Sequence, residues 1–551
     1  GERLAIVAGS LPQLLERLDA ALAQLPDGRI VAPGVYHAAT PLLDEPGAKL
    51  ALLFPGQGSQ YPGMLRELGL FLPELRDALD RADAIFAATP TGKQNPQARL
   101  SASIYPPQRF IRDEAKITQA VLTRTEVAQP ALGAVMAGLW AWLARLGVKP
   151  DVAAGHSYGE YAALHAAGVW PLEDLLQLSE ARGRFIVEAA ADGELGSMLA
   201  AAAERSRVET LLAGLPGITY ANHNGPRQLV LSGRPADLET ARQRLEAEGV
   251  SAAPLPVAAA FHSPLVAPAR ERLADFMAAV EFRAPEFSVY GNADAGPYPT
   301  DPAAIRARLS EHLAAPVRFM DEIQALYAAG ARVFLEVGPK DVLSRLTRQI
   351  LGAQPHLAVA ADGAEGGLNG ALHALAALWS QGARLEPERL FDGRAVAGLE
   401  MARLVETARP TPPSSRIWQV SGGYARRADQ PAKTGGRPPP VASVQSQRPS
   451  EAVSAEAGAL LDAEPAALGF FDKPVGVAMS PPIQTPIDPS AVAALGSAAW
   501  TMDQAMAAYQ ETMRQFLHVQ ERVMLAYFAA GQSGADGGET APFWAAAPAL
   551  P

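Results

Sequence analysis

Short apolar runs alternate with longer amphipathic stretches through the first two thirds of the chain. Leu50–Phe54, Val152–Ala154 and Val333–Val337 are apolar runs of strand length, and stretches with helical periodicity lie between them. Strands that alternate with helices in this way predict a parallel sheet covered by helices. We therefore expect an α/β domain from about Lys49 to Leu346.

One stretch departs from this alternation. From about Ser197 to Val257 the pattern predicts strand, helix, strand, strand, helix and strand, in that order. A split βαββαβ order is typical of a ferredoxin-like subdomain. The prediction is a small subdomain at about residues 197–262, inserted into the larger α/β domain. Residues 3–48 predict a separate piece, with a strand at Leu4–Ala8 and a helix around Leu11–Leu25.

The composition changes after about Ala425. Residues 426–498 are rich in Pro, Gly, Ser and Ala with few aromatic residues, which predicts a disordered linker, and the Gly- and Pro-rich residues 531–551 predict a disordered tail. Between them, residues 499–530 predict a helix with a heptad seam. The seam positions are Met502, Met506, Tyr509, Met513, Phe516, Gln520, Val523 and Tyr527.

A single helix cannot bury this seam, so we predict that the chain forms a homodimer through residues 499–530. The alternative is that the helix docks on the rest of the chain or on another domain. Sedimentation of residues 495–531 should show an oligomer, and changing both Met513 and Phe516 to lysine should make it monomeric. The prediction would be contradicted if the isolated wild-type segment and the intact chain both stay monomeric at high concentration.

Bulk properties exclude several classes of protein. The length of 551 residues suggests two to four structural units. A formal net charge of -11 argues against a nucleic-acid partner, because phosphate binding needs clustered Lys and Arg. The absence of cysteine excludes a disulfide scaffold, a thiolate zinc site and a cysteine nucleophile, and it fits a cytoplasmic protein. No uninterrupted apolar run approaches the length of a membrane span. The first residues, Gly1-Glu2-Arg3, lack Met and a signal-peptide pattern, as expected of a piece of a longer polypeptide.

The most specific motif is Gly155-His156-Ser157-Tyr158-Gly159, which lies between a predicted strand and a predicted helix. Strand, G-x-S-x-G and helix in that order are typical of a nucleophile elbow. The turn places the hydroxyl of Ser157 at a helix N-terminus, where free N–H groups favour a developing anion. The alternative is a tight turn with a capping serine.

A serine nucleophile needs a base, and His262 is the best placed of nine histidines. It ends the extended run Val257–Phe261, and a Ser263-Pro264 turn follows, so it can lie at the carboxyl edge of a sheet and face the elbow. The alternative is a structural histidine. Two N–H groups could stabilise an oxyanion: one of Tyr158, and one from the Gly-rich loop Phe54–Gln60.

Arg182 is predicted to be buried. It follows Leu175 and Leu178 and precedes Phe185 on the apolar stripe of a helix. An unpaired buried charge costs roughly 3–5 kcal/mol, so an anion should meet it. Either an Asp or Glu of the chain or the carboxylate of a substrate could serve.

Together these residues resemble malonyl-CoA:acyl-carrier-protein transacylases, most closely the acyltransferase domains of type I polyketide synthases. The resemblance covers about residues 49–350 and is carried by five motifs in the family's order: Gly56-Gln57-Gly58-Ser59-Gln60, Gly155–Glu160, Arg182, Ala260-Phe261-His262-Ser263 and Glu336-Val337-Gly338-Pro339. It implies an α/β-hydrolase-like large subdomain with a parallel sheet, the ferredoxin-like insert, and a further linker and C-terminal helix.

The flanking segments also resemble parts of such synthases. Residues 1–48 are similar to the linker between a ketosynthase and its acyltransferase, and residues 351–425 to a post-acyltransferase linker. The heptad helix resembles helices that precede carrier domains in synthases of the polyunsaturated-fatty-acid and glycolipid type. The resemblance therefore implies an acyl carrier domain and a ketosynthase in the same chain as partners. The net charge and the apolar runs already predict no nucleic-acid partner and no membrane span.

The resemblance also assigns roles to residues. It implies Ser157 as the nucleophile, His262 as the general base, and the backbone N–H groups of Gln57 and Tyr158 as oxyanion donors. Arg182 would bind the carboxylate of the extender unit. A backbone carbonyl of the segment Glu311–Phe319, assigned to His312, would orient the base. Phe261 matches the malonyl type, whereas Tyr158 departs from the aliphatic residue or Gln usual after the nucleophile.

The implied reaction is acyl transfer from malonyl-CoA, through an acyl-serine, to the phosphopantetheine arm of a carrier. The resemblance implies no metal and no permanently bound cofactor. Two other functions stay open at this point. A serine hydrolase or editing thioesterase would share the elbow but should place an Asp or Glu in a triad. A catalytically silent scaffold would use the linker and heptad helix instead.

Overall fold

The computed structural model describes residues 1–427, except residues 26–31, 95–98, 108–112, 193–195, 256, 258, 364–365, 397, 399, 408–417 and 422–423. Apart from its first two residues, the predicted linker at 426–498 lies outside the described residues. The predicted heptad helix at 499–530 and the tail at 531–551 also lie outside them.

The described strands belong to four sheets. In chain order they are β1 Arg3–Ile6, β2 Val35–Ala38, β3 Lys49–Phe54, β4 Val152–Gly155, β5 Ser197–Ala201, β6 Thr219–Gly225, β7 Gln228–Gly233, β8 Ala252–Leu255, β9 Ser288–Gly291, β10 Gly296–Pro297, β11 Ala331–Glu336, β12 Leu357–Ala360, β13 Trp418–Ser421 and β14 Tyr424–Arg427.

The described helices surround these sheets. In chain order they are α1 Leu11–Gln24, α2 Arg66–Phe71, α3 Pro73–Ala88, α4 Pro90–Gln94, α5 Leu100–Ile104, α6 Glu114–Thr123, α7 Thr125–Arg145, α8 Gly159–Ala166, α9 Leu172–Asp192, α10 Arg205–Leu211, α11 Pro235–Ala247, α12 Ala267–Met277, α13 Pro302–Glu311, α14 Phe319–Ala328, α15 Val342–Leu351, α16 Gly367–Ser380 and α17 Leu404–Thr407.

The large sheet has six strands in the order β10-β9-β4-β3-β11-β12. All neighbours pair in parallel except the edge strand β10, which runs antiparallel to β9. Along β3, Leu50, Leu52 and Phe54 pack on one side with α7, α8 and α9. Ala51 and Leu53 pack on the other side with α14 and α15. Helices on both faces explain why this strand is apolar at successive positions, and they confirm the predicted α/β class.

The small subdomain is a four-stranded antiparallel sheet in the order β6-β7-β5-β8. Helices α10 and α11 cover it and share its apolar core. The observed βαββαβ order confirms the predicted ferredoxin-like insert. Backbone hydrogen bonds join it to the large subdomain, because His223 N–H donates to the carbonyl of Val317 and Val317 N–H donates to that of Ala221, at 2.8 Å each.

The first 48 residues form a small unit, with β1 and β2 paired antiparallel beside α1. This unit contacts α16. Arg3 Nη1 donates to the carbonyl of Trp379 at 3.1 Å, and Tyr36 Oη lies 2.8 Å from His373 Nδ1. The strand predicted at Leu4–Ala8 is present, and its observed bounds are Arg3–Ile6.

Helix α7 is a core helix with unusual apolarity. Among the described helices it alone is long and apolar enough to cross a membrane, by length and composition. Polar residues such as Glu126 and Gln129 interrupt its apolar run, so the sequence pattern does not predict a membrane span there. In the fold most of the helix is buried, and it packs against α3 and α9.

Candidate active site

Ser157 lies in a sharp turn between β4 and α8, as predicted. Its φ of +50° is left-handed, a conformation that is strained for a residue other than glycine. The flanking glycines are required by close approach. A Cβ at Gly155 would lie 2.0 Å from the carbonyl carbon of Gly159, and one at Gly159 would lie 1.9 Å from the carbonyl oxygen of Phe54. The strand, elbow and helix therefore form as the motif indicated.

The structure brings His262 to the serine. Ser157 Oγ lies 2.8 Å from His262 Nε2, across 105 residues of chain. On the other side of the ring, His262 Nδ1 lies 2.8 Å from the carbonyl oxygen of Ala315. Because a carbonyl can only accept, Nδ1 carries the proton and Nε2 is left as the acceptor for the serine proton. The histidine predicted as the base is therefore in position to act as one.

The assignment of His312 as the residue whose carbonyl orients the base is wrong. The carbonyl at Nδ1 is that of Ala315, three residues later in the same predicted segment, and the carbonyl of Leu313 accepts from the His262 N–H at 3.0 Å. The side chain of His312 is buried instead, with Nε2 2.7 Å from Glu160 Oε2 and its ring centroid 5.7 Å from that of His262. Because α13 ends at Glu311, the turn that follows decides which carbonyl faces the base.

The environment keeps His262 neutral. Burial, with added repulsion from His312 and Arg182, holds the pKa of the His262 imidazole well below its usual range. A base must be unprotonated to accept a proton, so a lowered pKa keeps the imidazole ready at neutral pH. His156, although adjacent to the serine, is occupied elsewhere, since its Nε2 lies 2.7 Å from Asn224 Oδ1.

The two predicted oxyanion donors, the N–H groups of Gln57 and Tyr158, donate no hydrogen bond to any of the described residues. The loop that carries Gln57 presses on the elbow, because a Cβ at Gly56 would lie 2.4 Å from the carbonyl oxygen of His156. The side chain of Gln57 is tied to α7 by Thr125 and Gln129, at 3.3 and 3.2 Å, so its backbone is held in place.

Arg182 is buried, as its position on an apolar helical stripe predicted. Arg182 is 1% exposed, and its Nε and Nη2 atoms find no hydrogen-bond partner among the described residues. Its Cζ lies 5.6 Å from the centroid of the Tyr161 ring, within cation–π distance. Burial lowers the pKa of Arg182 from its ordinary value, yet a guanidinium keeps its charge at neutral pH. The guanidinium fork of Arg182 is therefore charged and desolvated beside Tyr161, and its Nε and Nη2 could meet an anion.

Comparison with known proteins decides the family. Residues 51–372, more than half of the chain, match the family described as the acyl transferase domain. The chain belongs to the acyl transferase domain family. It is an acyltransferase, and its α/β fold with a mainly parallel sheet is that of its structural neighbours.

Three relatives illustrate the breadth of the family. The acyltransferase is 35% identical over 308 residues to the malonyl CoA-acyl carrier protein transacylase of Bacillus subtilis, which covers 55% of this chain and 90% of that one. It is 31% identical over 335 residues to one component of the polyunsaturated fatty acid synthase of a Thraustochytrium species, covering 60% of this chain but 12% of that one. The crystal structure of the acyltransferase domain from the second module of the salinomycin polyketide synthase superposes with a TM-score of 0.60 at 32% identity, covering 71% of this chain and 86% of that one.

The unusual Tyr158 of this acyltransferase contributes its backbone to the site and its side chain to the core. The side chain is fully buried, and its hydroxyl lies 2.6 Å from Ser179 Oγ. Residue 133 has to be small there, because a Cβ on Gly133 would lie 2.5 Å from the Tyr158 hydroxyl. A bulky residue after the nucleophile is therefore accommodated between α7 and α9.

Two site residues were missed by the sequence analysis. Asn292 Oδ1 accepts a hydrogen bond from the N–H of Ser157 at 2.7 Å, and Asn292 Nδ2 donates to Glu322 Oε2 at 3.0 Å. A signal was present, because Asn292 directly follows β9, which pairs in parallel with β4. Polar residues at the carboxyl ends of neighbouring parallel strands lie at the edge where ligands bind.

Proposed function

We propose that this acyltransferase loads a malonyl extender unit from CoA onto an acyl carrier protein through an acyl-Ser157 intermediate. The observation that carries the proposal is the buried guanidinium fork of Arg182, whose Nε and Nη2 find no hydrogen-bond partner among the described residues. Its charge also helps to lower the pKa of the His262 imidazole. An acyl group with a free carboxylate satisfies such a fork, and a neutral acyl group does not. The name of the Bacillus subtilis relative, a malonyl CoA-acyl carrier protein transacylase, agrees with this substrate class.

The first half-reaction forms the acyl-enzyme. His262 Nε2 accepts the proton of Ser157 Oγ as the oxygen attacks the thioester carbonyl of malonyl-CoA. The backbone N–H groups of Gln57 and Tyr158 stabilise the oxyanion. The intermediate collapses with cleavage of the carbon–sulfur bond, and the imidazolium returns the proton to the departing thiolate of CoA.

The second half-reaction repeats these steps with a different thiol. The thiol of a carrier's phosphopantetheine arm gives its proton to His262 and attacks the acyl-Ser157 carbonyl. Collapse of the second oxyanion releases the serine oxygen, which recovers its proton from the imidazolium. The malonyl group ends on the carrier as a thioester, and the enzyme returns to its starting state.

The alternatives have less support. A hydrolase triad places a carboxylate at the second ring nitrogen of its histidine, whereas His262 Nδ1 contacts the carbonyl of Ala315. A hydrolase of neutral esters also has no use for the buried charge of Arg182. A silent scaffold does not need the 2.8 Å contact between Ser157 Oγ and His262 Nε2.

Arg182→Ala tests the carboxylate fork. We expect malonyl transfer to fall by about one to two decades, since a charge-assisted hydrogen bond contributes roughly 1.5–3 kcal/mol. Acetyl transfer, which offers no carboxylate, should change far less. Arg184→Ala, two residues along the same helix at a site paired with Glu180 and Glu188, is the matched control. Equal losses for malonyl-CoA and acetyl-CoA would mean that Arg182 is structural.

Phe261 is proposed to select the unbranched extender. It is 7% exposed and directly precedes His262, with the two ring centroids 6.5 Å apart. A 2-methyl group on the substrate would be crowded there, and one methyl is worth roughly 1–3 kcal/mol in an apolar site. Competition between malonyl-CoA and methylmalonyl-CoA should therefore favour malonyl-CoA. A preference for methylmalonyl-CoA would remove this role from Phe261.

The wider assembly is also a proposal. We propose that the acyltransferase works in the cytoplasm within a polyketide or fatty-acid megasynthase, beside a ketosynthase and a carrier domain. The chain spans 12% of its synthase relative from Thraustochytrium, so most of such an assembly would lie in other domains. The N-terminal unit at 1–48 would then be a linker before the domain, and residues 499–530 would join two copies. The predicted domain boundary at residue 350 falls too early, because β12 Leu357–Ala360 is the edge strand of the large sheet, so only the part of the predicted linker 351–425 that follows this strand could lie outside the domain.

A further inference from the structure

Asn292 closes the nucleophile elbow from the side of β9. Its Oδ1 accepts from the N–H of Ser157 at 2.7 Å, and its Nδ2 donates to the carbonyl of Gly155 at 2.6 Å. One amide therefore bridges the residue at the end of β4 and the nucleophile itself. Asn292 is fully buried, so without its side chain this carbonyl and N–H would lose a hydrogen-bond partner in the interior of the protein.

The orientation of the Asn292 amide is fixed by its neighbours. Since Ser157 N–H can only donate and the Gly155 carbonyl can only accept, Oδ1 must face the serine and Nδ2 the carbonyl. Glu322, also fully buried, accepts a second hydrogen bond from Nδ2 through Oε2 at 3.0 Å. A flipped amide would lose the hydrogen bonds to the Ser157 N–H and to the Gly155 carbonyl. The backbone adds a further restraint, because the carbonyl of Asn292 accepts from Arg318 N–H at 3.0 Å.

The restraint acts on a strained residue. Ser157 has a φ of +50°, and strained conformations persist only where the surrounding structure over-determines them. The same peptide geometry points Ser157 Oγ at His262 and leaves the following N–H, that of Tyr158, unoccupied. Relaxation of this turn would move both the nucleophile and an oxyanion donor.

We propose that Asn292 is a positioning residue that holds Ser157 in its reactive conformation, and that Glu322 fixes the orientation of the Asn292 amide. The residue acts through the serine and touches no substrate. The inference goes beyond the proposed function, because it concerns the reactivity of Ser157 and not the identity of the acyl donor.

The test compares near-isosteric variants in the full chain. Asn292→Asp keeps an acceptor for Ser157 N–H but removes the donor to Gly155 and Glu322, and Asn292→Ala removes both. Glu322→Gln keeps an acceptor of the same shape, and Glu322→Ala removes it. Asn222→Asp, at another buried asparagine, controls for the cost of burying a new carboxylate. Each variant is measured for the rate of Ser157 malonylation, for the half-saturating concentration of malonyl-CoA, for labelling by a serine-directed sulfonyl fluoride, and for its melting temperature.

We expect both Asn292 variants to form acyl-Ser157 about 100-fold more slowly at saturation, since a misplacement of about 1 Å costs that much. The half-saturating concentration should stay within about twofold, because Arg182 is untouched, and sulfonyl fluoride labelling should fall in parallel. Glu322→Gln should retain most of the rate, whereas Glu322→Ala should lose about tenfold, the effect of one hydrogen bond of about 1.4 kcal/mol.

Other outcomes would overturn the proposal. If the Asn292 variants lose melting temperature as Asn222→Asp does but label at the wild-type rate per folded molecule, Asn292 is only structural. If the Asn292 variants do not fold, the Glu322 pair decides, and equal rates for Glu322→Gln and Glu322→Ala would refute the role of the amide. Failure of malonyl-CoA to label the wild type, with sulfonyl fluoride labelling still slowed in the Asn292 variants, would instead reject the proposed function alone.

Discussion

Replacing Ser157 with alanine should abolish covalent loading of the protein by malonyl-CoA. The wild type should gain one malonyl group, because Ser157 Oγ lies 2.8 Å from His262 Nε2 and the N–H groups of Gln57 and Tyr158 donate no hydrogen bond among the described residues. No other hydroxyl at this elbow has a base in place, so the variant loses the nucleophile without a substitute. Mass spectrometry of the intact protein before and after mixing measures the result directly.

The matched control is Ser206→Ala, which removes an exposed serine from α10 and should load as the wild type does. A malonyl group that still appears on the Ser157→Ala protein would remove Ser157 as the nucleophile. A wild type that gains no malonyl group would revive the silent scaffold or the hydrolase. Turnover of a neutral ester in preference to malonyl-CoA would favour the hydrolase.

Replacing His262 with alanine should slow the formation of acyl-Ser157 by about three decades, within the range for loss of a general base. The serine would keep its oxyanion donors and Arg182, so residual binding should remain while the chemical step fails. Rapid-quench measurement of acyl-enzyme formation separates substrate binding from the chemical step. His356→Ala, which removes a histidine beyond the end of α15, should react as the wild type does. A loss of less than about tenfold would show that His262 is not the base.

The pH profile follows from the lowered pKa of His262. An ordinary histidine loses its basic form as the pH falls through about 6.5. Because burial favours the neutral imidazole, loading should stay nearly constant through that pH and decline only well below it. A decline centred at or above pH 6.5 would contradict the effect of burial.

Much of this protein can be predicted from local patterns. Alternating apolar runs and helical stretches indicate the α/β class, because burial on both faces of a sheet demands apolar residues at successive positions, as in β3. The elbow is equally local, since strand, Gly155, Ser157, Gly159 and helix lie within a few residues of one another. The burial of Arg182 follows from helical periodicity alone. Such features depend on residues that are close to one another in the sequence, so the sequence is enough to predict them.

The hydrogen-bond partners of His262 and Ser157 were decided by the tertiary structure. The sequence placed a histidine-orienting carbonyl in the right segment but assigned it to His312, because the direction of a carbonyl in a turn depends on backbone angles that side chains do not report. Asn292 reaches Ser157 across 135 residues of chain, because β9 pairs with β4, and Glu322 contacts Asn292 from α14. Neither contact is encoded by a local pattern.

Whether Arg182 would meet a carboxylate of the chain or none was open for the same reason. An ion pair depends on which elements pack against the helix, and the fold leaves Nε and Nη2 of Arg182 without a partner among the described residues. The sequence by itself thus determined the kind of site, a serine elbow with a base and a buried charge. Only the packing of distant elements decided which groups hold the base, brace the elbow and stay free for a substrate, because those contacts form between residues far apart in the chain.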